Sequence, residues 1–209
     1  MISEMSAITH APHRTLTVAI TGASGSILPK HLLDALERDE RVGAVNLIVS
    51  DSGLRVMAEE LGISGRTELL PKLLGRPPAK VQQQNNNDIG ANVASGSYAT
   101  DAMIVLPCSM GTLARIANGM AIHLIERAAD VCLKERRPLI LCVRETPFNR
   151  IHLRNMTLAA EAGATIFPVI PAFYFHPAST DDIAREFVNR VLAHIGLPQA
   201  GAYQWKVGQ

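Results

Sequence analysis

Residues 125–150, IERAADVCLKERRPLILCVRETPFNR, join a charged helical segment to the short apolar run Leu139–Val143. This run has the length and composition of a buried strand. It ends in Arg144-Glu145-Thr146-Pro147, so charged side chains follow its carboxyl end directly. In a parallel α/β sheet, ligands bind outside the carboxyl ends of the strands. The stretch therefore predicts an α/β fold and an enzyme whose chemistry lies at this edge of the sheet.

The same alternation of strand and helix continues on both sides of this stretch. Strand-like runs lie at Leu16–Thr21, Val45–Ser50, Ala102–Leu106 and Thr165–Val169. Helices are predicted over residues 28–40, 54–61, 120–136, 148–162 and 181–195, and residues 62–92 are predicted to be a loop with some helix. Such alternation favours a doubly wound, mostly parallel sheet in one domain, a flavodoxin-like or Rossmann-like three-layer sandwich.

Composition limits the classes of protein that this chain can represent. Its 209 residues suit a single domain, 47% of them are hydrophobic, and the net charge of +1 indicates no nucleic-acid partner. The apolar runs are far shorter than the ~20 residues of a membrane helix, and residues 1–14 lack the apolar centre of a signal peptide. We expect a flexible tail over residues 1–14, a domain over 15–209, no membrane partner and a cytoplasmic location.

Metal ligation is not indicated by the spacing of the possible ligands. The three cysteines, Cys108, Cys132 and Cys142, form no CxxC pair, and the seven histidines show neither HxH nor HxxxH spacing. Structural zinc sites and disulfide frameworks depend on such spacing. A mechanism without a metal is therefore expected.

Two turns have the composition of anion-binding sites. Gly22-Ala23-Ser24-Gly25 follows the first strand, and Pro107–Thr112 follows the strand at Ala102–Leu106. Glycines and small hydroxyl residues at a helix start expose backbone amides that can hold a phosphate. Each turn alone could equally be a plain strand–helix connection with ordinary N-caps. Together they favour a mononucleotide lying across their tips.

Other candidate residues remain ambiguous when they are considered one at a time. Arg127 and Lys134 lie seven residues apart and share a helix face, which is usually a solvated surface. Tyr174 follows the last strand, and Arg190 lies in the last helix, where a surface position is the commoner explanation. Arg144 and Glu145 differ because they end a buried strand, where solvation explains charge poorly.

These residues give the chain a close resemblance to the UbiX-type flavin prenyltransferases, a family once named 3-octaprenyl-4-hydroxybenzoate carboxy-lyase. The resemblance covers roughly residues 15–205, and its 126–147 block is highly specific. The matching stretches are TGASG at 21–25, ASGS at 94–97, PCSMGTL at 107–113, ERAADVCLKERRPLILCVRETP at 126–147, HLRNM at 152–156 and PAFYFHP at 171–177.

The resemblance implies a flavodoxin-like subunit that binds reduced FMN and assembles as a homododecamer. It implies transfer of the dimethylallyl group of dimethylallyl monophosphate to flavin N5, followed by ring closure at C6, without a metal. The prenylated FMN would then serve a UbiD-type decarboxylase.

The resemblance also assigns roles to individual residues. FMN contacts are implied for Gly22, Ala23, Ser24, Ser50, Ser109, Met110, Gly111, Thr112 and Arg144. Catalytic roles are implied for Glu145, Lys134, Arg127 and Glu60, and binding of the prenyl phosphate for Ser95, Gly96, Tyr174 and Arg190. The chain departs from the family at Ile27-Leu28-Pro29, where an aromatic residue and a glycine are usual, and at Asp51, where a lysine is usual.

Two alternatives belong to other functional classes. An FMN-binding flavoprotein decarboxylase of the cysteine-decarboxylase type would share the fold, but it would normally carry a PASANT-like motif in place of ASGS. A non-catalytic flavin-binding accessory subunit would keep the scaffold without needing a cluster of phosphate-binding cations. The residues present favour the prenyltransferase over both alternatives.

Overall fold

The computed structural model describes residues 13–205, so most of the predicted tail over residues 1–14 lies outside the described residues. The strands are β1 Arg14–Ile20, β2 Val42–Val49, β3 Val81–Gln84, β4 Ala102–Cys108, β5 Leu139–Val143 and β6 Thr165–Ile166. The helices are α1 Ile27–Arg38, α2 Asp51–Leu61, α3 Leu69–Leu74, α4 Met110–Ala117, α5 Leu124–Lys134, α6 Arg150–Glu161 and α7 Thr180–His194, with a short 3₁₀ turn at Asn92–Ala94.

The six strands form one sheet in the order β3-β2-β1-β4-β5-β6, and every neighbouring pair is parallel. The predicted doubly wound α/β fold is therefore confirmed. Strand order reverses between β1 and β4, and ligands of doubly wound sheets bind in the crevice at this switch point. The turns that follow β1 and β4 both open into that crevice.

Two apolar layers cover the sheet. On one face, Leu16, Val18 and Ile20 of β1 pack with buried leucines of α1 and with Val188 and Val191 of α7. On the other face, residues of β4 and β5 pack against α4 and α5. Burial on both faces explains why β1, β4 and β5 are nearly continuous apolar runs rather than alternating ones.

The edge strand β3 is a correction to the prediction, which placed residues 62–92 in a loop with some helix. The polar segment Val81–Gln84 pairs with β2 along Val45–Ile48. The carboxylate of Glu37, at the end of α1, accepts hydrogen bonds from the amides of Lys80 (2.9 Å) and Val81 (2.8 Å). The pKa of Glu37 lies below its ordinary value. Burial alone would raise this pKa, but the hydrogen bonds from the amides of Lys80, Val81 and Ala79 lower it by more. A tertiary contact therefore fixes this strand.

Helix boundaries differ from the predicted ones where side chains cap the ends. Helix α5 begins at Leu124 rather than near Met120, because Glu126 accepts a hydrogen bond from the amide of His123 at 3.2 Å. Ser179 caps α7 by accepting from the amide of Asp182 at 3.2 Å, so this helix begins at Thr180 rather than at the predicted residue 181. Among residues 13–205, no helix is long and apolar enough to cross a lipid bilayer.

Candidate active site

The turn after β1 is closed by a glutamate from a different element. Glu60, near the end of α2, accepts hydrogen bonds from the amides of Gly25 (3.1 Å) and Ser26 (2.7 Å). The pKa of Glu60 lies below its ordinary value. Partial burial alone would raise this pKa, but hydrogen bonds from the Ser24 hydroxyl and from the amide and hydroxyl of Ser26 lower it by more. The predicted second active-site carboxylate therefore lies against the predicted flavin-binding turn.

Gly22 allows this turn to lie close to the start of α2. A Cβ placed on Gly22 would lie 2.5 Å from both Cβ and Oγ of Ser52, which no real side chain tolerates. Beside it, Ser50 caps α2, because its Oγ accepts from the amide of Gly53 at 3.0 Å. The Ser50 hydroxyl therefore has a structural role as the cap of α2, in addition to any ligand contact.

Thr21 connects the turn after β1 to the turn after β4. Its Oγ1 donates to the carbonyl of Pro107 at 2.8 Å and accepts from the amide of Ser109 at 2.8 Å. Ser109 in turn caps α4 by accepting from the amide of Thr112 at 3.4 Å. Residues 21–26 and 107–112 are therefore one hydrogen-bonded unit, which we call the carboxyl-edge turns.

The carboxyl-edge turns fit the polar groups of a mononucleotide. They present backbone amides at the start of α4, whereas the amides of Gly25 and Ser26 before α1 are bound by Glu60. The close approach at Gly22 leaves no room for a side chain there. Small hydroxyl residues line both turns. Amides and hydroxyls at helix N-termini are the donors that phosphate groups prefer. The residues present therefore suit FMN.

Arg144 and Glu145 lie at the same edge of the sheet. The amide of Arg144 donates to the carbonyl of Cys108 at 3.2 Å, which places it beside the end of β4. The carboxylate of Glu145 accepts from the amide of Thr146 at 3.0 Å and is exposed. Both side chains are therefore available to a ligand held by the carboxyl-edge turns.

A second group of predicted residues, Ser95, Gly96, Arg127 and Lys134, surrounds the loop before β4. We call it the Gly96 cluster. A Cβ on Gly96 would lie 2.5 Å from Nζ of Lys134 and would also collide with the Glu135 carboxylate. Arg127 Nε donates to the carbonyl of Ala94 at 3.1 Å. The structure therefore brings these four predicted residues together.

Arg137 holds the loop of the Gly96 cluster in place. It donates to the carbonyls of Gly96 at 2.7 Å and of Tyr98 at 2.8 Å. In addition, Lys134 pairs with Glu135, and Arg127 pairs with Asp130 at 2.8 Å. Each of the two predicted phosphate-binding cations thus pairs with a carboxylate on its own helix or just after it.

The third group lies at the C-terminal end of the described chain. Tyr174, Arg190 and Trp205, with Glu186 and Tyr203, line a cavity of about 370 Å³. The Tyr174 and Trp205 rings are 4.9 Å apart between centroids and meet at 72°. Trp205, near the C-terminal end, therefore packs against Tyr174, one of the residues predicted to bind the prenyl phosphate.

Topology separates the Gly96 cluster from the carboxyl-edge turns of the same chain. Lys134 is the last residue of α5 and leads into the amino end of β5, whereas the turns follow the carboxyl ends of β1 and β4. Arg127 and Lys134 are themselves separated by roughly 10 Å along the helix axis. One chain therefore does not gather the predicted flavin and phosphate residues into a single pocket.

Asp51, where the family usually has lysine, pairs with Arg66, a residue that the sequence analysis did not select. Arg66, in the loop after α2, donates to the Asp51 carboxylate at 2.5 Å and to the carbonyl of Val49 at 3.0 Å. It thereby returns a positive charge to the end of β2, where the family usually has lysine. The sequence held no signal for this contact, because the two residues are fifteen positions apart in irregular structure.

Within residues 13–205, no group of three or more His, Cys, Asp or Glu side chains is arranged to hold a metal ion. Burial raises the pKa of the Cys108 thiol to about 12 and that of Cys132 to about 11. These thiols are therefore protonated core residues rather than nucleophiles.

The chain belongs to the Flavoprotein family, whose model matches residues 4–191. Known relatives narrow this membership to the UbiX flavin prenyltransferases. The flavin prenyltransferase UbiX of Pseudomonas aeruginosa is 41% identical over 196 residues, which cover 91% of this chain and 93% of that protein.

Two solved structures are similar over nearly their whole length. AnUbiX (PadA1), in complex with FMN and dimethylallyl pyrophosphate, has a TM-score of 0.84 at 40% identity, and the match covers 94% of this chain and 100% of that one. A dodecameric FMN-dependent UbiX-like decarboxylase from Escherichia coli O157:H7 has a TM-score of 0.83 at 40% identity, and the match covers 92% and 100%.

Proposed function

We propose that this chain is a flavin prenyltransferase that joins the dimethylallyl group of dimethylallyl monophosphate to N5 and C6 of reduced FMN. The observation that carries the proposal is the combination of carboxyl-edge turns suited to FMN with a separate cluster of cations suited to a phosphate. The similarity to flavin prenyltransferases over 91% of the chain supports the same conclusion. An accessory flavin-binding subunit would have no use for the cation cluster.

The carboxyl-edge turns and Ser50 would hold FMN, with Gly22, Ala23 and Ser24 on one side and Ser109, Met110, Gly111 and Thr112 on the other. Arg144 would lie over the flavin from the end of β5. Its guanidinium keeps its charge in a dry site, where it can donate to an anionic or carbonyl group.

The prenyl donor requires stabilisation of its leaving group. Breaking the allylic C–O bond leaves a phosphate whose negative charge increases in the transition state. Arg127, Lys134 and Arg190, with Tyr174 and the Ser95–Gly96 loop, would supply charged and polar donors for this phosphate. Preorganised donors of this kind typically contribute a few kcal/mol each. Such a cluster can replace the magnesium that diphosphate chemistry uses.

Glu145 would move the protons of the reaction. The bond from the dimethylallyl carbon to N5 would form as the allylic C–O bond breaks and the N5 proton leaves. Ring closure would then need a proton added to the dimethylallyl double bond and a proton lost from C6. An exposed carboxylate beside the flavin could carry these protons. Glu60 would act on the opposite side, where it already holds the amides of Gly25 and Ser26.

The separation of the Gly96 cluster from the turns supports assembly as a homododecamer, in which a neighbouring copy brings its cluster to the flavin of this one. The dodecameric state of the similar protein from Escherichia coli O157:H7 points in the same direction. The prenylated FMN would pass to a UbiD-type decarboxylase, because a modified flavin that leaves its synthase needs an acceptor enzyme.

The decisive experiment is anaerobic incubation of the chain with reduced FMN and dimethylallyl monophosphate, followed by mass spectrometry of the extracted flavin. We expect the flavin mass to increase by one prenyl group, with and without a metal chelator. FMN that binds but gains no mass with either the mono- or the diphosphate donor would favour the accessory-subunit alternative. Loss of CO₂ from a peptide cysteine would instead favour the flavoprotein decarboxylase.

A further inference from the structure

An ion pair between a half-buried arginine and a buried glutamate joins α4, the helix that follows β4, to α5. Arg115 of α4 and Glu126 of α5 meet with 2.6 Å between Nε and Oε1. The Glu126 side chain is only 3% exposed, and its other oxygen accepts from the amide of His123 at 3.2 Å. Glu126 opens the specific 126–147 block, yet the proposed reaction gives it no role. A charge buried this deeply is costly unless its partners are fixed.

The other end of Arg115 reaches the carboxyl-edge turns. Its Nη2 donates to Oγ1 of Thr112 at 3.3 Å, and its Nη1 lies 3.7 Å from the position that a Cβ on Gly111 would take. The Ser109 hydroxyl also donates to Oγ1 of Thr112, at 3.2 Å. The guanidinium thus connects a buried carboxylate to hydroxyls that the proposed flavin site uses.

These contacts fix the positions of both hydroxyl groups. A hydroxyl has one hydrogen to donate and two lone pairs that accept. Thr112 Oγ1 accepts from Arg115 Nη2 and from the Ser109 hydroxyl. Ser109 Oγ donates to Thr112 and accepts from the Thr112 amide at 3.4 Å. Because Arg115 can only donate, Thr112 Oγ1 must keep a lone pair toward the guanidinium, which holds the Thr112 side chain in contact with Ser109.

We propose that Arg115 is a positioning residue for flavin binding, which Glu126 anchors and which acts through the hydroxyls of Thr112 and Ser109. It holds the two hydroxyl groups in place at the start of α4, where the proposed flavin site uses them. The proposal rests on the proposed flavin site. It adds a residue pair, one member on each of two helices, that fixes the geometry of that site before the ligand arrives.

The test measures the dissociation constant for FMN by fluorescence quenching, together with the visible absorption bands of the bound flavin. In Arg115→Gln, the glutamine can still donate to Glu126 but does not reach Thr112, and we expect the Kd to rise about tenfold, the loss typical of one hydrogen bond to a charged donor. The flavin bands should shift, because the hydroxyl groups at the start of α4 are no longer held in one position. Thr112→Val should cause a similar loss.

The double variant Arg115→Gln/Thr112→Val distinguishes a pathway through Thr112 from a general loss of structure. If Arg115 acts through the Thr112 hydroxyl, the double variant should bind FMN about as weakly as either single variant, because coupled residues do not add. A Kd for FMN that rises about a hundredfold in the double variant, the product of the two single effects, would overturn the proposal. So would an unchanged Kd in Arg115→Gln.

Two further variants keep the outcome interpretable. Arg115→Lys retains the charge beside Glu126 but lacks the planar fork that also reaches Thr112, so it should fold normally and still lose FMN affinity. Arg55→Gln, which alters an exposed pair with Glu59 on α2, should change the Kd by less than twofold. An unchanged Kd in a folded Arg115→Lys would overturn the proposal. Failure of the unaltered chain to bind FMN would overturn the proposed function as well.

Discussion

The carboxyl-edge turns and the Gly96 cluster differ in what completes them. The turns are bonded to their own chain, because Thr21 connects them to each other and Glu60 closes the first of them. In the Gly96 cluster, the Lys134 and Arg127 side chains remain 46% and 37% exposed and contact only neighbouring carboxylates and a loop carbonyl. One chain therefore builds the proposed flavin-binding half alone, while the proposed phosphate-binding half is exposed to contact by another copy.

The largest expected effect is on the rate of flavin prenylation, which needs both the carboxyl-edge turns and the Gly96 cluster. Glu145→Gln should lower the rate of flavin prenylation by about 10²–10⁴-fold, the range that loss of an acid–base group typically causes. Binding of FMN should not change, because the carboxylate contacts only the amide of Thr146. Mass spectrometry of the flavin gives the rate, and Glu161→Gln, at the exposed end of α6, is the matched control. An unchanged rate would remove Glu145 from the mechanism.

The next effect tests the flavin-binding half alone. Gly22→Ala places a Cβ 2.5 Å from the Ser52 side chain, and the strain should separate α2 from the turn. Overpacking typically costs about 1–3 kcal/mol, equivalent to roughly a 10–100-fold rise in the Kd for FMN. Titration with FMN measures it. Gly90→Ala is the control, since its Cβ would meet only Asp88 at 3.4 Å. Equal Kd values for the two variants would contradict the close approach at Gly22.

The reciprocal change tests the phosphate-binding half. Gly96→Ala should displace Lys134 Nζ, which lies 2.5 Å from the new Cβ, and leave the Kd for FMN unchanged. The KM for dimethylallyl monophosphate should rise about tenfold, because one charge-assisted hydrogen bond is weakened. Adding Lys134→Ala should have little further effect, since both changes act on the same ammonium group. A change in FMN affinity would show that the two halves are not independent.

The smallest effect concerns the pH dependence of the turn after β1. The pKa of Glu60 in the folded chain lies below its ordinary value of 4.5. Its carboxylate therefore contributes stability that is fully present above pH 4.5 and is lost as the pH falls through the folded-state pKa. Glu60→Gln should lower the free energy of unfolding at pH 7 by about 1 kcal/mol or less, because the side chain is exposed.

Urea unfolding at pH 7 and at acidic pH measures this difference, which should shrink on acidification. Glu59→Gln, one residue earlier on the exposed face of α2, should show a smaller difference at both pH values. A difference between Glu60→Gln and the unaltered chain that grows below pH 4.5 would contradict the role assigned to the carboxylate.

The sequence predicted the fold well where structure follows from local patterns. The buried strands β1, β4 and β5 are apolar runs bounded by glycine or proline, and each was placed within a few residues of its true bounds. Strand β3 was missed because Val81–Gln84 is polar, and it forms a strand through pairing with β2 and through the carboxylate of Glu37. Neither partner is close in sequence, so no local pattern could indicate it.

The same distinction applies to the site. The turns at Gly22 and Ser109 were predictable, because glycines and hydroxyl residues after a strand have a physical use that spacing reveals. The grouping of the Gly96 cluster away from those turns was not, since it depends on the direction of α5 relative to the sheet. Arg66 and Arg115 were also missed, because their partners Asp51 and Glu126 lie on other elements and no motif marks them.

Thr21 has a consequence for exchanging segments between related proteins. Its single hydroxyl both donates to Pro107 and accepts from Ser109, so the residue after β1 and the residues after β4 must be compatible with each other. A chimera that imports a foreign strand–turn–helix unit at residues 14–38 without a hydroxyl at position 21 would leave the Ser109 amide without this acceptor. The Pro107 carbonyl would keep the hydrogen bond from the backbone amide of residue 21. Recombination points that respect this pairing lie outside the interval from residue 14 to residue 117, so the amino-terminal half of the sheet is inherited as one block.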